Sequence, residues 1–118
     1  MCWTSTRYEI IDWDDPMIDD NPETNNLLHC QRADRLGVQA EMIVYEIFHY
    51  GPWAEVQFTM QTAEYAVVGV GLANIWLVLF KDSPKRGDWL RPVTGWLAER
   101  AEIREWEQAT GERWKGRR

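Results

Sequence analysis

The sequence predicts an α+β domain built from one helix, three strands in a mainly antiparallel meander and a second helix. Three observations predict it. Apolar residues recur at steps of three and four between residues 33 and 48, which is the spacing of an amphipathic helix. Residues 54–62 alternate between apolar and polar, which is the period of a strand with one solvent-facing side. Residues 65–80 form an apolar run interrupted by glycines and one asparagine, as expected for buried strands.

The chain has the length of one domain, 118 residues, and its N-terminal part differs in composition from the rest. β-favouring residues at 7–13 predict a short strand. Residues 12–23 then hold six acidic residues and two prolines, which predicts an exposed acidic arm. We therefore divide the sequence into an N-terminal strand and acidic arm, residues 1–22, and a single α+β domain, residues 23–118.

The first helix is predicted over residues 23–50. The Asn-Pro-Glu sequence at 21–23 is a typical helix start, with a capping residue, a proline in the first turn and an acid beside it. The Gly-Pro sequence at 51–52 ends the helix.

The stretch EYAVVGVGLANIWLVLFK decides between a membrane protein and a globular domain. A membrane-spanning helix needs about 20 apolar residues, whereas only 16 positions lie between Glu64 and Lys81. The valines and glycines in the first half are poor helix formers. We predict two buried strands, 65–71 and 75–80. A membrane-anchored small subunit that uses this stretch is the alternative.

The last element is predicted to be a helix over residues 89–115. Residues 81–88 have the composition of a loop, and an amphipathic pattern follows it, with Pro92 in the first turn, where proline is tolerated. Glutamates and arginines at helical spacing supply a charged outer face. If residues 53–80 were also helical, the fold would be an all-α three-helix bundle, with helices 23–50, 53–80 and 89–115.

The charge of the chain is acidic and unevenly distributed. The net charge is −6, and residues 1–60 hold eleven acidic residues against three arginines, a net charge of −8. Because affinity for phosphate depends on cations, an acidic chain is a poor general binder of nucleic acid. Contact with nucleic acid is therefore expected only through two basic clusters of the C-terminal half: Lys81, Lys85, Arg86 and Arg91, and Arg113, Lys115, Arg117 and Arg118.

The cysteine content indicates the compartment. Cys2 and Cys30 are the only cysteines, and the chain starts without the apolar run of a signal sequence. These features predict free thiols in a reducing, cytoplasmic compartment. The spacing of Cys and His residues does not fit a structural zinc site. We predict no resident cofactor and no contact with a membrane.

The segment RLGVQAEMIVYEIFHYG, residues 35–51, carries Gly37, then Glu41 four residues later, and ends on Gly51 before a predicted strand. Lys81 follows the strand-like run IWLVLF. Together with the order of helix, three strands and helix, these positions resemble the restriction-endonuclease-like, or PD-(D/E)XK, nuclease superfamily over residues 33–110. We interpret the chain as a degenerate member of that superfamily.

The resemblance implies a site made of Glu41, Glu64 and Lys81. Glu41 and Glu64 would be the ligands of a Mg²⁺ ion that activates water, and Lys81 would position or deprotonate that water. The sequence departs from the pattern at two points. Leu79 stands two residues before Lys81, where the family has a glutamate, and Glu64 stands near the position of the family's aspartate. The resemblance therefore implies the fold more than the activity.

The function we predict is that of a small non-catalytic protein-binding domain of nuclease-like fold. It would act on a nucleic-acid-processing or defence complex of viral or mobile-element type, as a phage protein could. The alternative is a metal-dependent DNA nuclease that uses Glu41, Glu64, Lys81 and Mg²⁺. A homodimer is also kept open, because an exposed strand edge and eight tryptophans are available. The predicted interaction residues are Trp53, Trp89, Trp96, Trp106, Asp14, Asp15, Asp19 and Asp20.

Overall fold

A computed structural model describes residues 11, 13, 26–49, 51–57, 63–82 and 90–115. These residues form an α+β fold and not an all-α bundle, which confirms the predicted class and the order of helix, strands and helix. The elements are α1 (Asn26–Cys30), α2 (Ala40–His49), β1 (Ala54–Glu55), β2 (Tyr65–Gly71), β3 (Asn74–Asp82), β4 (Leu90–Leu97) and α3 (Arg100–Thr110).

The four strands form one sheet in the order β1-β2-β3-β4, and every neighbouring pair is antiparallel. The predicted meander is therefore present, with one strand more than the three expected. Strands that follow one another through short connections pair in this way because a tight turn can only reverse the chain direction.

The apolar stretch that follows Glu64 forms the β2–β3 hairpin, as predicted, and not a single helix. Its strands pair from Tyr65 with Phe80 to Gly71 with Asn74. Leu72 and Ala73 make the turn, with φ of 48° and 65°. Residues other than glycine rarely adopt this left-handed backbone conformation. Among the described residues, no helix is both long enough and apolar enough to cross a membrane.

Both faces of the sheet are covered, which explains the unbroken apolar run of β3. Val67, Val78 and Phe80 face one core together with α1 and α2. Val68, Leu77 and Leu79 face a second core, which includes Trp106 of α3. Successive side chains of a strand point to opposite sides, so a strand that lies between two helical layers needs apolar residues at every position.

Helix α2 lies unusually close to β2 because two residues of that strand lack side chains. A Cβ atom added at Gly69 would lie 2.6 Å from Cγ2 of Ile47. A Cβ atom added at Gly71 would lie 2.8 Å from the carbonyl oxygen of Ile43. The glycines of β2 therefore accommodate the backbone and side chains of α2, which is a common use of glycine inside a strand.

The predicted helix over 89–115 is wrong in its first third, where the chain forms strand β4. Pro92 has no N–H to donate, so it is tolerated on a strand at the sheet edge. The register shifts by one residue beside it, since Leu79 pairs with Thr94 but Phe80 pairs with Pro92. The helix starts only after Glu99, whose N–H donates to Oε1 of Glu102 at 2.8 Å.

Three other predicted boundaries differ from the structure. The helix over 23–50 is divided, since turns at 31–39 separate α1 from α2. Of the strand predicted at 54–62, only residues 54 and 55 form a strand, β1, and residues 58–62 lie outside the described residues. Of the strand predicted at 7–13, Ile11 forms an isolated parallel bridge with Leu90, and most of the rest lies outside the described residues.

Candidate functional site: a groove along helix α2

A groove of about 480 Å³ lies against the outer side of α2. On one side it is bounded by Ile11 and Trp13, which precede the helical part of the chain. On the other side it is bounded by residues of the helix itself. We call it the α2 groove, and its lining residues are Ile11, Trp13, Glu41, Met42, Val44, Tyr45 and His49.

The outer side of α2 exposes two large apolar side chains. Met42 and Tyr45 are each 48% exposed. They are three residues apart within α2, so they lie one above the other on one side of the helix. Single exposed apolar residues are normal, but neighbouring ones beside a groove are typical of an interaction site. Val38, in the turn before the helix, is 81% exposed.

The groove wall is held in place by the opposite side of the same helix. Ile43, Ile47 and Phe48 are buried in the core between α2 and the sheet. On the outer side, the rings of Tyr45 and His49 stack with their centres 4.2 Å apart, and Nδ1 of His49 lies 3.1 Å from the carbonyl oxygen of Tyr45. The core contacts position the helix, and the stacked rings form part of the groove lining.

Glu41 is the acidic residue among the described residues that line the groove. It lies in the first turn of α2 and is exposed. An acid in the first turn interacts favourably with the helix dipole. No hydrogen bond or ion pair joins its carboxylate to another residue in the described part of the chain. Glu41 is therefore a fixed negative charge beside an apolar surface.

The predicted catalytic residues Glu64 and Lys81 lie at one end of the sheet, just before β2 and near the end of β3. The N–H of Glu64 donates to the carbonyl oxygen of Phe80 at 2.8 Å. Oε1 of Glu64 accepts a hydrogen bond from the N–H of Asp82 at 2.9 Å. Asp82 was not among the predicted site residues, although it directly follows Lys81 in the sequence. The hydroxyl of Tyr65 also donates to the Asp82 carboxylate, at 3.3 Å.

Glu41 does not join this cluster through any contact between described residues. Helix α2 packs on the sheet face that contains Phe80, whereas Lys81 is the next residue of β3 and points to the opposite face by alternation. No group of three or more His, Cys, Asp or Glu residues within the described ranges is arranged to hold a metal ion. The assignment of Glu41 and Glu64 as Mg²⁺ ligands stays a prediction.

The predicted interaction residues fall into three groups. Trp53 and Trp96 are half-buried: Trp53 packs edge-on against Phe48, and the guanidinium of Arg35 lies 5.4 Å from the centre of the Trp96 ring. Trp106 is only 3% exposed, and its indole N–H donates to the carbonyl oxygen of Pro52 at 3.0 Å. Trp106 is thus a core residue and not a surface one. The remaining predicted residues, Trp89, Asp14, Asp15, Asp19 and Asp20, lie outside the described residues.

The basic clusters are only partly described. Lys81 and Arg91 are direct cross-strand partners on β3 and β4, and both are half-buried. Arg113 and Lys115 are exposed after α3. The other four basic residues lie outside the described ranges, so a nucleic-acid contact through them stays a prediction.

Cys30 is not a candidate nucleophile. Its side chain is fully buried, and this burial raises the pKa of the thiol to about 12, against a smaller opposing effect of Arg35. Because the thiolate is the reactive form, a thiol with this pKa is inert near neutral pH.

The sequence alone did not reveal the α2 groove. The signal was available, because Met42 and Tyr45 follow helical spacing on the side opposite the core residues. The prediction assigned only one apolar side to this helix, since periodicity alone does not show that a second apolar side remains uncovered.

Searches of family models, of curated proteins and of solved structures find no match to this chain. The resemblance to the PD-(D/E)XK superfamily therefore stays a prediction, based on the order of elements and on a few positions.

Proposed function

We propose that this domain is a non-catalytic protein-binding module and that its α2 groove docks an amphipathic helix of a partner protein. The observation that carries the proposal is the exposure of two large apolar residues, Met42 and Tyr45, in a groove that both of them line. Helices that bind to other proteins commonly lay an apolar face into a groove of this kind.

The length of the groove favours a helical partner segment. Glu41 and His49 both line the groove and lie eight positions apart in α2, which at helical rise corresponds to about 12 Å, or two turns. A partner helix of two to three turns would present side chains at positions i, i+3 or i+4 and i+7 to this groove. Met42 adapts its shape easily to an apolar neighbour, because its side chain is unbranched and polarizable.

The charge of the chain favours a basic partner. The groove belongs to the first 60 residues, which have a net charge of −8. Complementary charge accelerates the encounter of two proteins and disfavours partners of like charge. The occupant we propose is therefore a helix with one apolar and one basic side.

The wider role we propose follows the predicted resemblance. A nuclease-like element order without the family's complete set of acidic residues suits a component that binds a nucleic-acid-processing or defence complex and does not cut nucleic acid itself. A virus or a mobile element would be a natural source of such a component.

A photo-crosslinking residue placed at Met42 tests the docking surface. The matched control is the same residue at Leu97, which is an exposed apolar position at the end of β4, 53% exposed against 48% for Met42. We expect the Met42 position to give an adduct with one protein, and the adduct site to lie in a basic amphipathic helix of that protein.

The partner is then purified and its affinity measured with Met42→Ser and Leu97→Ser variants of the domain. We expect the first variant to weaken binding by about ten-fold or more, as for a residue at the centre of an interface, and the second to leave it unchanged. Equal adducts from both crosslinking positions, or equal affinities of the two variants, would reject the α2 groove as the docking surface.

A further inference from the structure

We infer that Glu41 selects the partner by pairing with one lysine or arginine of the docked helix. The inference rests on the proposed function, which it deepens by naming the position that discriminates among partners. It assigns to Glu41 a role in recognition, where the family resemblance implies a role in metal binding.

The surroundings of Glu41 supply the physical reason. Its neighbours in the groove lining are Met42, Tyr45, Trp13 and other mainly apolar residues. In the free domain the carboxylate is exposed and hydrated. A docked helix would remove part of that water, and a charge that loses water without gaining a partner is costly.

The cost depends on what the partner places opposite the carboxylate. A lysine or arginine compensates for the lost water with an ion pair and hydrogen bonds. An apolar residue leaves the charge unpaired, and an aspartate or glutamate adds repulsion. Glu41 therefore disfavours partners that lack a cation at this position at least as strongly as it favours a partner that has one.

The position of Glu41 on α2 specifies where the basic residue must lie. Glu41 and Tyr45 are four residues apart, so they are neighbours on the same side of the helix, separated by about 6 Å along its axis. A partner helix that places an apolar residue on Tyr45 must therefore present its cation about one turn away. This spacing can be read from the sequence of any candidate partner.

Two synthetic peptides test the inference by fluorescence anisotropy. Each has 14 residues, with leucines at positions i, i+3, i+4 and i+7 on one side. One carries lysine at all other positions and the other carries glutamate. We expect the lysine peptide to bind at least about ten-fold more tightly than the glutamate peptide in low salt. We expect the difference to shrink as salt increases, because ions screen exposed charges.

Two variants then separate a specific pair from general attraction to an acidic protein. Glu41→Gln and Glu112→Gln each remove one negative charge from an exposed glutamate. Glu41 lines the α2 groove, whereas Glu112 lies after α3 and lines a separate pocket with Trp106. We expect Glu41→Gln to weaken the lysine peptide by about two- to five-fold, as for an exposed ion pair. We expect Glu112→Gln to have no effect.

The outcomes distinguish this inference from the proposed function. The inference that Glu41 selects the partner is wrong if the glutamate peptide binds as tightly as the lysine peptide. It is also wrong if the two variants bind the lysine peptide with equal affinity. The groove itself is tested by Met42→Ser, which should lower the affinity of the domain for both peptides. Loss of the Met42 effect together with loss of the specific crosslink would reject the docking function as a whole.

Discussion

Replacement of Gly71 by alanine tests whether α2 is packed against β2 as tightly as the structure indicates. The added Cβ would lie 2.8 Å from the carbonyl oxygen of Ile43 and 3.4 Å from its Cα. Both are backbone atoms of α2, so no rotation of a side chain can remove the overlap. The helix itself would have to move away from the strand.

The expected cost follows from the kind of atom that the new methyl group meets. Overpacking a core costs roughly 1–3 kcal/mol, and a collision with helix backbone belongs in the upper half of that range. Gly69→Ala should cost a similar amount, about 1–3 kcal/mol, because its 2.6 Å contact is with Cγ2 of Ile47, a methyl group attached directly to Cβ. The χ1 angle of Ile47 is restricted because Ile47 is β-branched and lies in a helix. Cβ of Trp53 at 3.2 Å limits the space further.

Gly51→Ala is the matched control. A Cβ at Gly51 would meet only Cβ of Val70 at 3.9 Å, which is an ordinary contact. Alanine restricts the unfolded chain more than glycine does, which stabilises the folded state by about 0.4–1 kcal/mol. The Gly51→Ala variant has this effect without any collision. We expect it to be neutral or slightly stabilising.

Urea unfolding followed by circular dichroism measures the three free energies of unfolding. With a slope of about 1–3 kcal/mol per molar urea, a loss of about 2.5 kcal/mol lowers the midpoint by roughly 0.8–2.5 M at unchanged slope. A Gly71→Ala variant as stable as Gly51→Ala would show that the close approach of α2 to β2 is wrong. A Gly69→Ala variant as stable as Gly51→Ala would contradict the contact between Gly69 and Ile47.

Four further predictions follow from single sites. Ala73→Gly should raise the free energy of unfolding by about 1 kcal/mol in the same urea assay, because Ala73 is exposed and has a left-handed φ of 65° that favours glycine; an unchanged midpoint would contradict the turn geometry. Trp106→Phe should lower it by about 0.5–1.5 kcal/mol, because it removes the part-buried hydrogen bond from the indole N–H to the carbonyl oxygen of Pro52; a neutral result would contradict that hydrogen bond. Burial raises the pKa of the Cys30 thiol from 9.0 to about 12. The stability that the neutral thiol contributes is therefore complete below pH 9 and is lost as the pH rises toward 12. The free energy of unfolding should decline between about pH 8 and 11, and Cys30→Ala should reduce this decline. Finally, single-stranded, duplex and branched DNA incubated with Mg²⁺ or Mn²⁺ should remain uncut, and cleavage that Lys81→Ala abolishes would establish the nuclease alternative.

The central hairpin could be predicted from the sequence because its signal is local. The run from Tyr65 to Phe80 is too apolar for a surface element and too rich in valine and glycine for a helix outside a membrane. The predicted strands match β2 in full and β3 to within two residues. What the sequence did not explain is why Gly69 and Gly71 are glycines, because the reason is the backbone of a helix about 25 residues away in the chain.

Strand β4 could not be predicted because its signal is ambiguous. Trp89, Val93 and Trp96 follow helical spacing, and Pro92 is acceptable both in the first turn of a helix and on an edge strand. Gly95 becomes informative only in three dimensions, where an added Cβ would lie 2.9 Å from Cδ2 of Leu36. The pairing with β3 determines that this segment is a strand and not a helix.

The candidate site shows the same division. The sequence by itself determined that residues 23–50 contain an amphipathic helix and that the first half of the chain is acidic, because spacing and charge are properties of the chain. Only the tertiary structure decided which apolar side chains of that helix are exposed on its outer side. A helix with apolar residues on two sides can bury only the side that meets the sheet, and the glycines of β2 select the side of Ile43 and Ile47. Met42, Tyr45 and Glu41 are left on the outside, next to Trp13.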